Sequence, residues 1–401
     1  AHRTCARCEA AGRAAAAALP PPGNMRIFLT ADVTGGILTY SCELAEALRA
    51  RGHEVALGVL GSEPGAEQRG WLEAHPAVRA TYLPCPLEWL PEPEPGLSGS
   101  VAPLREAVER FAADVVHLNQ FFYGACELGA PKLVVAHSDV VGWWRAVKGR
   151  PPPDDAWFRR YGRWVREGLA GARARVAPSA WMAGQVEALW GAGPVRVIYN
   201  ARSAGAFRSR RGVRREALVL AVGRLWDEAK GVRDLIPAAE RLRERARVVV
   251  AGPVRHPGGG ADFPTDAPEV HWAGELGWDA LRLLLAQARV YAGTARYEPF
   301  GLAPLEAALA GCALVLSDIP TYRELWDGCA AFYPPGDGAA LAEAAGELLA
   351  DGERRRRLAV AGRSRARARF TPERQAADYE AVYSEIVRGA RRTPPLQADA
   401  G

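Results

Sequence analysis

Arg296–Gly311 reads RYEPFGLAPLEAALAG. Two acids in it, Glu298 and Glu306, stand eight positions apart. Pro299, Phe300 and Gly301 lie between them, followed by an apolar, Ala/Leu-rich run. Just upstream, Ala288–Ala292 (ARVYA) has the character of a short buried strand. The segment therefore reads strand, acidic loop, glycine, helix. Backbone N–H groups at a helix start lack intrahelical partners and carry the positive end of the macrodipole. An α/β protein builds an anion site in this way. Gly301 lets a ligand approach the backbone closely. A carboxylate in the opening turns of the helix accepts hydrogen bonds from a sugar diol. A phosphate and a ribose suit this pair of features.

The strand–helix alternation extends on both sides. Upstream, Leu218–Val222 (LVLAV) is a strand ending at Gly223-Arg224, with Asp227, Lys230 and Gly231 next and a helical pattern from Val232 to about Arg245. Arg247–Ala251 and Val270–Ala273 are further strands, separated by a Gly/Pro loop over Pro253–Pro268, and Leu276–Ala288 is mostly helical. Downstream come a strand at Ala313–Leu316, a turn of helix at Tyr322–Leu325, a strand at Ala330–Tyr333 and helices at Ala339–Leu349 and Glu353–Phe370. Thr371-Pro372-Glu373 supplies an N-cap, a proline at N1 and an early acid for a last helix through Arg388.

The first half begins a similar series. Arg26–Thr30 (RIFLT) is a strand that runs into Ala31–Gly36. Ile37–Arg51 is helical, with Ile37, Tyr40, Leu44, Ala47 and Leu48 on one face and Gly52 as its cap, and Glu54–Leu60 is the next strand. A βαβ unit with glycines at its first turn is where Rossmann-like domains bring phosphate to a helix. The G-x-G-x-x-G spacing is missing, so Gly35-Gly36 reads either as a ligand loop or as a plain tight turn. Glu63–Ser100 carries seven prolines and reads as loop-rich, its Trp71, Tyr82 and Trp89 as packing in an irregular loop rather than an acceptor surface. Ala113–Asn119 and Leu133–Ala136 are strands, the second ending at His137-Ser138-Asp139. A histidine at the C-terminal end of such a strand faces the ligand crevice. Taken alone, His137 and His117 fit a structural role as well. Trp143 and Trp144 open an aromatic-rich region, with a helix over Asp155–Ala170. A strand at Arg175–Pro178, an N-cap at Ser179, a helix at Ala180–Trp190 and a strand at Val195–Ile198 follow, then Tyr199-Asn200-Ala201-Arg202. Periodicity then lapses through a basic stretch (Arg208, Arg210, Arg211, Arg214, Arg215), which places a domain boundary near 200–215.

Bulk composition narrows the class. At 401 residues, 49% hydrophobic and 24% charged, the chain has the make-up of a soluble protein of two or three domains. The net charge of +5 is small for this length, and no helix-turn-helix, paired Cys/His or aromatic–basic RNA signature occurs, so no nucleic-acid partner is expected. Seven scattered cysteines point to a reduced, cytoplasmic setting, and the lone C-x-x-C of Cys5 and Cys8 has no second pair. No apolar run reaches the ~18 residues of a membrane span. Residues 1–24 read as a disordered extension rather than a signal peptide, because Ala14–Leu19 is short and Pro20, Pro21 and Pro22 follow it. Met25 reads as a natural start, and residues 391–401 as a disordered tail.

Gly223-Arg224, Lys230-Gly231 and Glu298-Pro-Phe-Gly-Leu…Glu306 together resemble the retaining nucleotide-sugar glycosyltransferases of family 4. The resemblance runs from about Met25 to Arg388, strong in the second half and diffuse in the first. It implies the GT-B fold, two Rossmann-like domains facing across a cleft. Residues 25–205 with 376–390 would form the acceptor domain and 206–375 the donor domain, the last helix crossing back to the first. Glu298 would lie near the anomeric centre of the donor sugar and Glu306 would bind the ribose hydroxyls. The amides around Phe300, Gly301 and Leu302 would meet phosphate or sugar. His137 would be a cleft histidine beside the sugar, Gly36 would lie at the diphosphate, and Glu275 and Leu276 would border the base. Arg224 and Lys230 supply two charges for a departing diphosphate, one a bidentate fork and one a point charge. No D-x-D triplet occurs, so the expectation is a metal-independent reaction with no cofactor beyond the nucleoside-diphosphate sugar. One departure is Ile319-Pro320, where many relatives carry a glycine pair.

Three other readings remain at this point: a silent sugar-nucleotide binder, a GT-B-fold sugar-nucleotide epimerase and, weakest, an NAD-linked oxidoreductase. The acceptor is an unspecified hydroxyl on a glycan or a lipid-linked carrier. Arg159, Arg160, Arg163 and Arg166 on one helix would suit a peripheral membrane contact for a lipid-linked acceptor, although a solvated face is the simpler reading.

Overall fold

The architecture is that of a computed structural model, which describes residues 23–76, 78–207 and 213–392. The expected extension (all but its last residues), the expected tail from 393 on, the Cys5/Cys8 pair and Arg208, Arg210 and Arg211 lie outside the described residues.

Two parallel sheets organise the chain. The first contains β1 (Arg26–Asp32), β2 (Glu54–Gly61), β3 (Arg79–Pro84), β4 (Val115–Leu118), β5 (Lys132–Val135), β6 (Ala174–Ala177) and β7 (Arg196–Val197), in the order β3-β2-β1-β4-β5-β6-β7. The second contains β8 (Glu216–Val222), β9 (Arg247–Ala251), β10 (Val270–Gly274), β11 (Ala288–Gly293), β12 (Ala313–Ser317) and β13 (Ala330–Tyr333), in the order β10-β9-β8-β11-β12-β13. Every strand pairing among the described residues is parallel; Ile27, for example, stands against both Val55 and Val115. Parallel strands need crossovers, and these place helices on both faces. Central strands are consequently buried along their length, as in VVHL of β4 and ALVLS of β12.

In the first half the crossovers are α1 (Ile37–Ala50), α2 (Ala66–Ala74), α3 (Gly96–Gly99), α4 (Val101–Phe111), α5 (Val140–Lys148), α6 (Ala156–Gly171) and α7 (Ala180–Trp190). In the second they are α8 (Leu235–Leu242), α9 (Trp278–Gln287), α10 (Leu302–Ala310), α11 (Pro320–Trp326), α12 (Gly338–Ala350) and α13 (Gly352–Arg369). The last helix, α14 (Pro372–Arg392), returns to the first sheet, where Tyr379, Val382, Tyr383 and Ile386 join one core with Leu38, Tyr40, Leu44 and Leu48 of α1. A chain that leaves one domain and ends on the other ties the two together at both ends of the second.

Each strand order reverses once, between β1 and β4 and between β8 and β11. Ligands of open α/β sheets bind outside the C-terminal ends of the strands at such points. Those ends carry Asp32–Gly36 and Asn119 in the first domain and Gly223–Arg224 and Thr294–Glu298 in the second.

Several local expectations need correction. Residues 63–100 are not simply loop, because α2, β3 and α3 lie there. β3 is an edge strand in which only Leu83 is buried, so it carries little apolar signal, and the prolines around it mask the rest. Tyr82 is 47% exposed, Trp71 stacks on His75, and Trp89 leaves its own domain to pack near Trp226 and His256. Ile37 and Ala47 are half-buried; Leu38, Ser41, Cys42 and Ala45 are buried instead, since α1 is covered by both the sheet and α14. The segment after Gly231 opens as a 3-10 turn, with α-helix only from Leu235 to Leu242. The helix near Tyr322 begins at Pro320, so Ile319-Pro320 is an N-cap and a proline at N1, where a missing N–H costs nothing. No helix of the described residues is long and apolar enough to cross a membrane. The five described cysteines are free.

Candidate active site

The second domain contributes two loops. After β8, Asp227 caps the turn Glu228–Lys230 by accepting from Ala229 N, and Gly231 follows in the left-handed region at φ 60. Only glycine fits there, because a Cβ would stand 2.1 Å from the Thr294 carbonyl oxygen. Thr294 Oγ1 donates to the Lys230 carbonyl at 2.6 Å, and Arg296 N donates to the Ala229 carbonyl at 2.7 Å. The two loops are therefore stitched backbone to backbone. Across the seam, Lys230 Nζ meets Glu298 Oε2 at 2.7 Å. Arg224 is held by Asp227 at 2.7 Å. Burial pushes the Asp227 carboxyl up, but Arg224, Lys230 and a hydrogen bond from Trp143 outweigh it and hold the group below the usual carboxylate range.

The loop after β11 carries the two acids. Gly301 caps α10 at φ 92 and ψ 87, a conformation unsuited to side chains. The N–H groups of Phe300, Gly301, Leu302 and Ala303 make no hydrogen bond among the described residues. Pro304 then brings no N–H at all. These are the donors that a helix start presents to an anion. The Phe300 side chain is elsewhere, buried against Phe370 with its ring centroid 5.4 Å away.

The first domain closes over these loops. A Cβ on Gly35 would stand 2.8 Å from a terminal nitrogen of Arg224, and one on Gly36 would stand 2.9 Å from Leu302 Cδ1. Tyr297, one residue before Glu298, accepts from Asp139 N at 3.2 Å and from Ser138 Oγ at 3.3 Å, immediately after His137. Ser179 Oγ caps α7 and also donates to the Pro299 carbonyl at 2.7 Å. Trp143 Nε1 donates to Asp227 at 2.9 Å, and Lys148 pairs with Glu228 at 2.6 Å. Glu324 of α11 accepts from the N–H groups of Ala180 and Trp181, both at 2.8 Å, capping a first-domain helix from the second domain.

Arg224, Lys230, Glu298, Leu302 and Gly36 are thus brought together where the two domains meet, and His137 directly precedes Ser138, which bonds Tyr297. Burial pushes His137 down to about 3, so its imidazole is neutral at physiological pH. Glu275 and Leu276 follow β10 directly. Glu275 is exposed, and no hydrogen bond or ion pair links it to the site among the described residues.

Other groups had no signal in sequence. Arg202, 5% exposed, lies between Glu43 of α1 at 2.7 Å and Glu306 of α10 at 2.9 Å, with its guanidinium 4.7 Å from the Trp278 ring centroid. Burial raises the Glu306 carboxyl, Arg202 opposes that rise, and Glu43 adds to it. Asp32 and Glu88, both buried on the first-domain side, are pushed by burial up to about 6 and about 7. Arg202 sits in the aperiodic linker, and Glu88 lies in the proline-rich stretch. Only their tertiary partners reveal them.

Comparison with known proteins adds the relatives. The family model described as Glycosyltransferase Family 4 matches residues 34–203, and the one described as Glycosyl transferases group 1 matches residues 216–351. The two models, both of glycosyltransferases, thus match one half of the chain each. The chain is 35% identical over 237 residues to a glycogen synthase of Mycobacterium tuberculosis, a match covering 54% of the chain and 55% of that protein. The chain thus spans about half the length of that curated relative. It is 27% identical over 397 residues to a D-inositol 3-phosphate glycosyltransferase of Xylanimonas cellulosilytica, covering 88% of the chain and 92% of the relative. Among solved structures it superposes on a sucrose-phosphate synthase of Thermosynechococcus elongatus with a TM-score of 0.73 at 20% identity, over 91% of the chain and 100% of that structure. It superposes on Anabaena HepE in complex with UDP-glucose with a TM-score of 0.72 at 19% identity, over 90% and 100%. The chain has the GT-B fold, two Rossmann-like parallel-sheet domains.

Proposed function

We propose that the chain transfers a hexose-type sugar from a nucleoside-diphosphate sugar to an acceptor hydroxyl, with retention at the anomeric carbon and without a metal ion. The observation that carries this reading is the convergence of Arg224, Lys230 and the unpaired N–H groups of residues 300–303 on one cleft, with Glu298 held at Lys230. These are fixed donors and charges for a departing diphosphate. Preorganised groups of this kind act mainly on the charge that develops in the transition state. Arg224 and Lys230 take the part a cation plays elsewhere.

In this reaction the bond from the anomeric carbon to the diphosphate oxygen breaks as the acceptor oxygen bonds to the same face of that carbon. The acceptor proton passes to the leaving phosphate oxygen, and the nucleoside diphosphate departs. Glu298 stabilises the positive charge that develops on the ring, and Glu306 receives the ribose hydroxyls. The HepE complex with UDP-glucose makes that donor the first to try. The acceptor belongs to the first domain's wall of the cleft.

The test is UDP release and sugar transfer from a panel of nucleotide sugars, with the anomeric configuration of product read by NMR and with EDTA present throughout. Transfer with retention in EDTA supports the proposal. Conversion of the free nucleotide sugar without any acceptor would mark an epimerase instead. Donor binding with neither outcome would mark a silent binder.

A further inference from the structure

Behind His137 the first domain holds a connected set of buried polar groups. His117 lies in β4 and Asn119 just after it, Tyr40 lies on α1, and Tyr379 and Tyr383 lie on α14. One atom determines where their protons sit. Asn119 Nδ2 lies against the Thr30 carbonyl oxygen and also donates to Ser41 Oγ at 3.1 Å. A carbonyl only accepts, so the amide nitrogen must be on that side. Asn119 Oδ1 then faces two imidazoles, His137 Nε2 at 2.9 Å and His117 Nε2 at 3.2 Å. An amide oxygen also only accepts, so both Nε2 atoms carry the hydrogen.

Both rings are neutral, so each Nδ1 is a bare acceptor. That of His117 receives the Tyr383 hydroxyl at 2.7 Å. The Tyr40 hydroxyl donates to Tyr379 at 2.7 Å, and its oxygen faces His117 Nε2 at 3.2 Å. Thr30 Oγ1 takes the Asn119 backbone N–H at 3.0 Å and donates to Gln120 at 2.7 Å. The set closes without a conflict of donors and acceptors. One imidazole nitrogen is left over. His137 Nδ1 has no hydrogen-bond partner among the described residues, while its ring is pinned edge-on against Tyr40 at 4.5 Å between centroids.

We propose that Asn119 is a positioning residue for sugar transfer, fixing His137 as the Nε2–H tautomer so that Nδ1 is presented as an acceptor to a hydroxyl of the donor sugar. This inference rests on the reading of His137 as a cleft residue. His117 and the two tyrosines of α14 hold Asn119 from behind, so the helix that ends the described chain supports the geometry of a side chain at the cleft.

The test uses the full chain labelled with 15N-histidine. Long-range 1H–15N correlations distinguish the two neutral tautomers, and His137→Gln and His117→Gln assign the signals. The expected result is Nε2–H for both residues in the wild type. In Asn119→Ala, the tautomer preference of His137 is lost, UDP release from UDP-glucose slows about tenfold in kcat, and the Kd for UDP stays within about twofold of wild type. An Nδ1–H tautomer at His137 in the wild type overturns the proposal. So does Asn119→Ala with unchanged kcat, or with kcat lost while the tautomer is kept. If Asn119→Ala does not fold, the wild-type spectrum decides the tautomer alone. His137→Ala turning over at the wild-type rate would instead overturn the cleft reading of His137, whatever the tautomer.

Discussion

Nε of Arg202 stands 2.9 Å from a carboxylate oxygen of Glu306, and a terminal nitrogen of the same guanidinium stands 2.7 Å from Glu43. One buried cation therefore lies between a buried carboxylate and a half-buried one from different domains. Removing one member of such a cluster leaves charge uncompensated, at a cost of about 3–5 kcal/mol. Arg202→Met should lower unfolding stability by that amount in urea. Adding Glu306→Gln should restore part of it, because the second carboxylate no longer needs a partner. With Arg202 gone, nothing opposes the rise that burial and Glu43 impose on Glu306. Donor affinity of Arg202→Met should then fall as pH drops and recover as pH rises, with a flatter profile in the wild type.

Lys230 and Glu298 face each other at 2.7 Å, and their proposed tasks differ. Lys230→Ala removes a charge aimed at the leaving diphosphate and should cut kcat about 100- to 1,000-fold, with weaker binding of UDP. Glu298→Gln keeps the shape and should cut kcat while leaving the Kd for UDP within a fewfold of wild type. Steady-state kinetics beside calorimetry separates the two.

The Gly231→Ala variant tests how the two loops are stitched. Its Cβ would stand 2.1 Å from the Thr294 carbonyl, and its φ of 60 is already strained for alanine. The backbone must shift, and Lys230 with it. Such sites cost about 1–3 kcal/mol each, so a lower Tm is expected together with reduced kcat.

His117 supplies the pH dependence. Burial, with His137 nearby, pushes it from 6.5 down to about 3. Between those values the unfolded chain binds a proton that the folded chain does not. Stability from this group therefore rises with pH through the window and is lost as pH falls below about 6.5. The slope is about 1.4 kcal/mol per pH unit for one group. Urea melts from pH 4 to 7 should show the wild type losing stability on acidification more steeply than His117→Gln by that slope.

What could be read from sequence was whatever is written locally. Gly301 before an apolar helix, Ser179 as a cap and Thr371-Pro372 at a helix start are neighbours along the chain, and the structure has helices at all three. β3 escaped because an edge strand with one buried side chain has no pattern to detect. Arg202 and Asn119 escaped for another reason. Arg202 meets its partners 159 and 104 positions away, and Asn119 meets Thr30 across 89. A lone arginine in an irregular linker and a lone asparagine after a strand carry no periodicity. Tyr297 lies one residue before Glu298, yet its hydroxyl is bound by the other domain's loop.

Under the proposed function, Arg224 and Lys230 hold a nucleoside diphosphate in the cleft. Isothermal titration of the intact chain with UDP and the other nucleoside diphosphates, in EDTA, tests it most directly, alongside the Arg224→Ala/Lys230→Ala double variant. The account predicts that the wild type binds at least one of them and that the folded double variant binds it at least about 100-fold more weakly, each lost charged contact being worth about 1.5–3 kcal/mol. A wild type that binds none of them, or a double variant that binds as tightly as the wild type, would contradict it.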